Sequence, residues 1–190
     1  YYSVGMTLGA GDIAPFVKDK IIYSKHYRQH EILDNGPLRS TFKLTFEPWD
    51  VDGKEVSVTK TITLDAGSQL NKVQVVYDYH GEEALPVVTG IVLRNDEGET
   101  IEKSEQGIMA YWEPVHGARG TIGVGVLTEE PIKKSFTAEG QLLSLLSVSR
   151  GKPFFYYSGG AWDKAGNITS AAAWEKYLLQ YRDNLKNPLK

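Results

Sequence analysis

Lys54–His80 reads KEVSVTKTITLDAGSQLNKVQVVYDYH. Val56, Val58, Ile62 and Leu64 alternate with Ser57, Thr59, Thr61 and Thr63, a period of two. Successive side chains of a strand point to opposite faces, so this pattern predicts one buried and one wet face. Asp65-Ala66-Gly67-Ser68 supplies turn residues. Val73, Val75, Tyr77 and Tyr79 then resume the alternation on the way back. The stretch predicts two long antiparallel strands joined as a hairpin, and strands of this length belong to large antiparallel sandwiches.

The neighbouring segments extend the same pattern. Leu38–Trp49 predicts a strand with Phe42, Leu44 and Phe46 on one face and Lys43, Thr45 and Glu47 on the other. Asp50-Val51-Asp52-Gly53 turns it into the hairpin. Upstream, Asp19–Ser24 and Glu31–Leu33 are short strand candidates, the second closed by Asp34-Asn35-Gly36-Pro37. Residues 1–18 are Gly-rich and predict an irregular segment laid over another surface. Downstream, Val87–Arg94 and Thr100–Lys103 flank the turn Asn95-Asp96-Glu97-Gly98. Gly107–Glu113, Gly120–Leu127, Ile132–Thr137, Gln141–Val148 and Pro153–Ser158 complete the strand series. This spacing of strands and Gly/Asp/Asn turns predicts an all-β antiparallel sandwich.

Only the C-terminal end is helical. Over residues 170–186, Trp174, Tyr177, Leu178, Tyr181 and Leu185 form one stripe at helical spacing. Thr169 or Ser170 can cap the helix, and Asn187-Pro188 stops it. The stripe is expected to pack on the outside of a sheet. Without repeats or linkers, residues 1–190 are expected to form a single domain.

Composition narrows the function classes. The 190 residues carry 21 basic and 24 acidic side chains, a net charge of -3. No run of Lys or Arg suggests a nucleic-acid surface, and no apolar run is long enough to span a membrane. With no Cys, disulfides, thiolate metal sites and Cys nucleophiles are excluded. Gly9-Ala10-Gly11 lacks the ending of a phosphate loop, and no G-x-S-x-G motif occurs. His26 and His30 share a face of a strand but stand about 13 Å apart, too far for one metal ion. No cofactor and no metal are expected. The start Tyr1-Tyr2-Ser3, without Met or leader, suggests a processed form or a piece of a longer chain.

The aromatic content is 11 Tyr, 4 Trp and 6 Phe. Tyr and Trp combine an apolar face with a polar handle, which suits sugar rings. Strand propensity favours the same residues, so both readings stand.

Four runs carry a resemblance: Glu31–Arg39 (EILDNGPLR), Leu64–Lys72 (LDAGSQLNK), Gly120–Val126 (GTIGVGV) and Tyr156–Trp162 (YYSGGAW). The chain resembles the C-terminal portion of a bacterial family, domain of unknown function 4861, whose members are usually longer. The resemblance implies a galactose-mutarotase-like supersandwich. It also implies an exported, periplasmic or secreted protein of polysaccharide-degrading bacteria, with an acidic, uronate-containing poly- or oligosaccharide as partner.

Candidate chemistry concentrates in Tyr111–Gly120, YWEPVHGARG. Tyr111 and Glu113 share a strand face. His116 can act as general acid or base, and Arg119 can hold a carboxylate bidentately. For lyase chemistry, His116 or Tyr111 would abstract the proton beside the uronate carboxyl while Arg119 neutralises it. For epimerisation, Glu113 would work with His80 or His116 across the sugar. Hydrolysis needs two carboxylates, and Glu113 has no evident partner. Trp112, Tyr157, Trp162, His80 and His26 are candidate substrate-binding residues, each with a plain packing or solvent-exposed alternative. A noncatalytic carbohydrate-binding domain stands beside the enzyme reading. A structural domain that pairs with a missing N-terminal segment or another chain is the third reading.

Overall fold

The computed structural model describes residues 5–94 and 97–187. Its strands are β1 (Ala10–Val17), β2 (Lys20–Ile21), β3 (Tyr27–Asn35), β4 (Arg39–Phe46), β5 (Trp49–Val51), β6 (Lys54–Asp65) and β7 (Leu70–Tyr79). They continue as β8 (Leu85–Val92), β9 (Glu99–Lys103), β10 (Ile108–Trp112), β11 (Ile122–Thr128), β12 (Lys134–Ala138), β13 (Gln141–Val148) and β14 (Phe154–Trp162). One helix, α1 (Ala171–Lys186), follows.

Two antiparallel sheets face each other. The larger has the order β3-β4-β6-β7-β14-β11-β10-β9, with β5 beside β6; the smaller is β12-β13-β8-β1-β2. The opening hairpin lies inside the larger sheet, with Val56 opposite Tyr79 and Thr63 opposite Lys72. Its inward residues Val56, Val58, Val73, Val75, Tyr77 and Tyr79 meet Ile13, Val87, Ile91 and Leu142 of the smaller sheet in the main core. Val51 pairs with Lys54 around Asp52-Gly53, both at positive φ, as a two-residue hairpin turn requires.

Residues 10–17 are not irregular, as the glycine content suggests. They form β1, which pairs with β8. Gly9 and Gly11 disguise this strand; a register shift falls between Ala10 and Asp12. Gly11 has φ +104°, and a Cβ there would stand 2.7 Å from Val126 and 2.8 Å from Ser158. A side chain at this point would hold β1 off the larger sheet. β8 and β9 flank the expected turn at 95–98 but belong to different sheets. Asn95 and Asp96 lie outside the described residues, as do Tyr1–Ser3 and Pro188.

The Ser170 side chain caps α1 by accepting from the Ala173 amide. The helix lies on the outer face of the larger sheet, where Trp174 and Leu178 are fully buried against Ile108, Ala110 and Leu127. The Trp174 indole donates to the Val124 carbonyl at 3.2 Å. Gly123 and Gly125 form the seat, since a Cβ on either would press into Trp112, Trp174 or Leu178.

Burial raises the Tyr77 and Tyr156 phenols above their ordinary range. A phenol raised in the folded state stabilises the fold fully below pH ~10, and that stability is lost as pH climbs through the folded value. Urea unfolding is therefore expected to weaken steadily above pH ~10, with the 295 nm phenolate signal of the buried tyrosines appearing only as the fold is lost. Gly11→Ala is expected to lower stability by about 2–4 kcal/mol through overpacking and backbone strain. The urea midpoint checks this; an unchanged midpoint would mean that β1 has room to shift.

Candidate functional site

The larger sheet has one apolar face and one mixed face. On the mixed, outer face the register builds two cross-strand rows. Thr63, Lys72 and Tyr157 stand side by side on β6, β7 and β14, and Thr61, Gln74 and Phe155 form the next row. α1 rises beside them with Tyr181 and Leu185, while Arg39 and Asp65 close the far end. The result is a groove of about 370 Å³.

Its polar groups are ordered. Arg39 grips Asp65 bidentately, Nε–Oδ1 2.5 Å and Nη2–Oδ2 2.9 Å, and this holds the Asp65 carboxyl below its usual range. The Lys72 ammonium lies 4.7 Å from the Phe155 ring centre. Thr41 and Thr63 share a hydroxyl hydrogen bond of 3.2 Å. Tyr157 and Tyr181 meet edge to face with centroids 5.5 Å apart. Burial, helped by the nearby Glu129 charge, pushes the Tyr157 phenol up to about 12. Burial raises Tyr181 as well, against a hydrogen bond from Ser68. Both phenols stay neutral at physiological pH, and Tyr157 donates to the Glu129 carboxylate. The groove thus offers aromatic surface, hydroxyl and amide groups, two cations and one carboxylate.

The structure distributes the residues singled out in the sequence over several places. Glu113 is 3% exposed. Its Oε1 accepts from Arg94 Nε at 2.9 Å, and its Oε2 stands 3.2 Å from His116 Nε2. The His116 side chain is 45% exposed. Tyr111 points into the sandwich core. Its hydroxyl donates to the Glu97 carbonyl and accepts from the Arg94 amide, and burial raises its phenol. Such a phenol is poorly suited to abstracting a proton. Arg119 ends a short 3-10 turn, and its carbonyl accepts from the half-exposed Trp162 indole at 2.8 Å. Trp112 faces the other way, onto Gly123 and the helix seat. The segment therefore splits: Glu113, His116 and the unforeseen Arg94 meet, while Trp112 joins the outer layer.

His80 lies far from this cluster. It follows β7 at the far end of the same sheet, beside Asp78 and Arg150. The Leu70 end of β7 aligns through Gly159 and Gly125 with Ala110. The length of β7 alone, about 30 Å, therefore separates His80 from Glu113. An epimerase pair of Glu113 and His80 is ruled out by this register. His26 is exposed just before β3, along a cleft with Tyr23 and Tyr27. Tyr157 is the expected binding residue that lines the groove. Among the described residues no group of three or more His, Cys, Asp or Glu could hold a metal.

Lys72, Gln74, Thr61 and Thr63 lie on the wet side of the opening alternation; their grouping with Phe155 and Tyr181 needed the strand order. Lys60 carried a clearer signal. It occupies an inward position between Val58 and Ile62, is 5% exposed, and pairs with Asp12.

Comparison with known proteins fits this architecture. A protein of Formosa agariphila, “Uncharacterized protein P7”, is 31% identical over 194 residues, 99% of this chain and 48% of the relative. The chain thus spans about half the length of that curated relative. Among solved structures, “Putative kojibiose phosphorylase from human microbiome” superposes with a TM-score of 0.62 at 11% identity, over 92% of this chain and 25% of the other. That likeness is one of fold, and it fits the galactose-mutarotase-like supersandwich that the resemblance implies. The family described as Domain of unknown function (DUF4861) matches residues 1–190, and the chain belongs to it.

Proposed function

We propose that this chain binds an acidic, uronate-containing poly- or oligosaccharide in the groove between α1 and strands β4, β6, β7 and β14, as part of an exported polysaccharide-utilisation system. The observation that carries this reading is the pair of cross-strand rows, Thr63–Lys72–Tyr157 and Thr61–Gln74–Phe155. The C–H faces of a sugar pack on Phe155 and Tyr181, its hydroxyls exchange hydrogen bonds with Thr, Gln and neutral phenols, and its carboxylate pairs with Lys72. Arg39 and Lys72 outnumber Asp65, so the groove carries an excess positive charge within a chain of net charge -3. The carbohydrate name of the structural neighbour supports the same ligand class.

A second reading is favoured by the Glu113 cluster. A buried carboxylate that orients a half-exposed imidazole is an arrangement suited to proton transfer. In a lyase-type step His116 would take the proton beside the uronate carboxyl, the C=C bond would form as the neighbouring glycosidic C–O bond breaks, and the leaving oxygen would take a proton from water. Glu113 and His116 are hydrogen-bonded neighbours, so they cannot flank a sugar from two sides as an epimerase pair. This cluster and the groove occupy opposite faces of the sheet, so binding and turnover are separable by mutation.

Calorimetric titration with oligouronides is expected to give binding that weakens as salt rises. Lys72→Ala should reduce affinity about tenfold, roughly 1.4 kcal/mol, while Arg150→Ala, at the far end of the sheet, leaves it unchanged. Equal affinity of wild type and Lys72→Ala would sink the groove reading. Ultraviolet absorbance of new C=C bonds tests the second reading. Any such activity is expected to fall at least ~100-fold in His116→Ala with groove affinity intact, and persistence of activity in that variant would remove His116 from the chemistry.

A further inference from the structure

The inner face of the larger sheet is only partly covered. The smaller sheet ends in β2, which is two residues long and pairs only with Phe16 and Val17 of β1. Over Asp12–Ala14 that edge of β1 has no partner strand among the described residues. Beyond it the larger sheet continues through β6 and β4 to β3, and the inward residues there are mainly apolar, with His30 and Lys60 on either side of Leu44 as the exceptions. Tyr27 stands opposite Phe46, and Ile32 opposite Phe42. Phe42 in turn stands opposite Ile62. Ile32 is 62% exposed and Leu64 42% exposed. The opposite faces of the same strands are polar, with Lys43 bound to Glu31 and Arg28 to Glu47. These three strands therefore have the two-faced pattern of a buried sheet, but among the described residues their apolar side is covered only in part, where Phe46 and Ile62 pack against the main core.

The open space is a cleft of about 370 Å³ between Leu8 and Phe42, Phe46 and Ile62. It is continuous with one of about 250 Å³ that shares Leu8, Asp12 and Phe46. It is a poor sugar site. Its lining is mainly aliphatic and aromatic, and its two charges already satisfy each other. Lys60 pairs with Asp12 and lies 5.0 Å from the Phe46 ring centre. Uncovered apolar surface of this kind marks an interface.

We propose that this face is covered by strands from the remainder of the full-length polypeptide, which lay alternate apolar side chains over Phe42, Leu44 and Phe46. Two observations favour this occupant. The curated relative has about as much chain again as the part matched here. The geometry asks for side-chain burial on β3, β4 and β6 rather than for pairing with β1, whose outward Ile13 amide and carbonyl are already bonded to the Asp12 carboxylate and the Tyr77 hydroxyl.

These 190 residues contain no Cys, so once any Cys in the remainder is replaced by Ser a direct test is open. Ile32→Cys is made in the full-length natural protein and in the present chain, with His80→Cys as an exposed control, and maleimide labelling rates are compared. In the full-length protein, labelling at position 32 is expected to be at least 100-fold slower than at position 80. In the present chain both should label at similar rates. Equal rates at the two positions in the full-length protein would overturn the proposal. So would a natural polypeptide that ends with these 190 residues. Protection in the present chain that grows with concentration, together with a doubled mass in solution, would assign the face to a second copy instead. Protection only on adding oligouronide would assign it to ligand.

Discussion

The register of β6 against β7 is the constraint on which the rest depends. Val56 opposite Tyr79 and Thr63 opposite Lys72 fix which side of two long central strands meets the core. A slip of β7 by one residue would turn Val73, Val75, Tyr77 and Tyr79 to solvent and bring Lys72 and Gln74 inside. Because the hairpin sits mid-sheet, β4 and β14 inherit its register on either side. Inner core and outer groove are thus two consequences of one pairing.

The two faces are used differently along their length. Inside, the smaller sheet covers the middle of the hairpin, and the apolar rows run on past its edge toward β3. Outside, α1 covers β10 and β11 by seating Trp174 on Gly123 and Gly125, and its last turns leave a groove over β6, β7 and β14. The placement of Gly residues in β11 therefore decides where the helix lies, and the helix decides where the groove begins. Glu113 lies on the inner side with Tyr111, beyond the end of β10, bound to Arg94 and His116.

The hairpin, the helix with its Ser170 cap and the antiparallel sandwich were legible because each depends on local periodicity and turn chemistry. β1 was not, because Gly9 and Gly11 break the alternation and its reason for existing is a contact with Val126 and Ser158, far along the chain. Local sequence grouped Glu113 with His116, three residues apart, and their side chains do meet. It could not bring in Arg94, which arrives from the connection between the two sheets. Nor could it tell that His80 stands at the wrong end of the strand, because that follows from pairing partners rather than from composition. The groove was legible in halves: Thr61, Thr63 and Gln74 as wet-face residues, and Tyr157 as a candidate for stacking. The missing step was that β14 lies beside β7.

The most direct measurement is amide and side-chain chemical-shift mapping during titration with a defined oligouronide. The expected result is a contiguous set of changes at Thr61, Thr63, Lys72, Gln74, Phe155 and Tyr181, saturating with a single affinity. Changes centred instead on Glu113, His116 and Arg119, with the outer-face rows silent, would contradict the account.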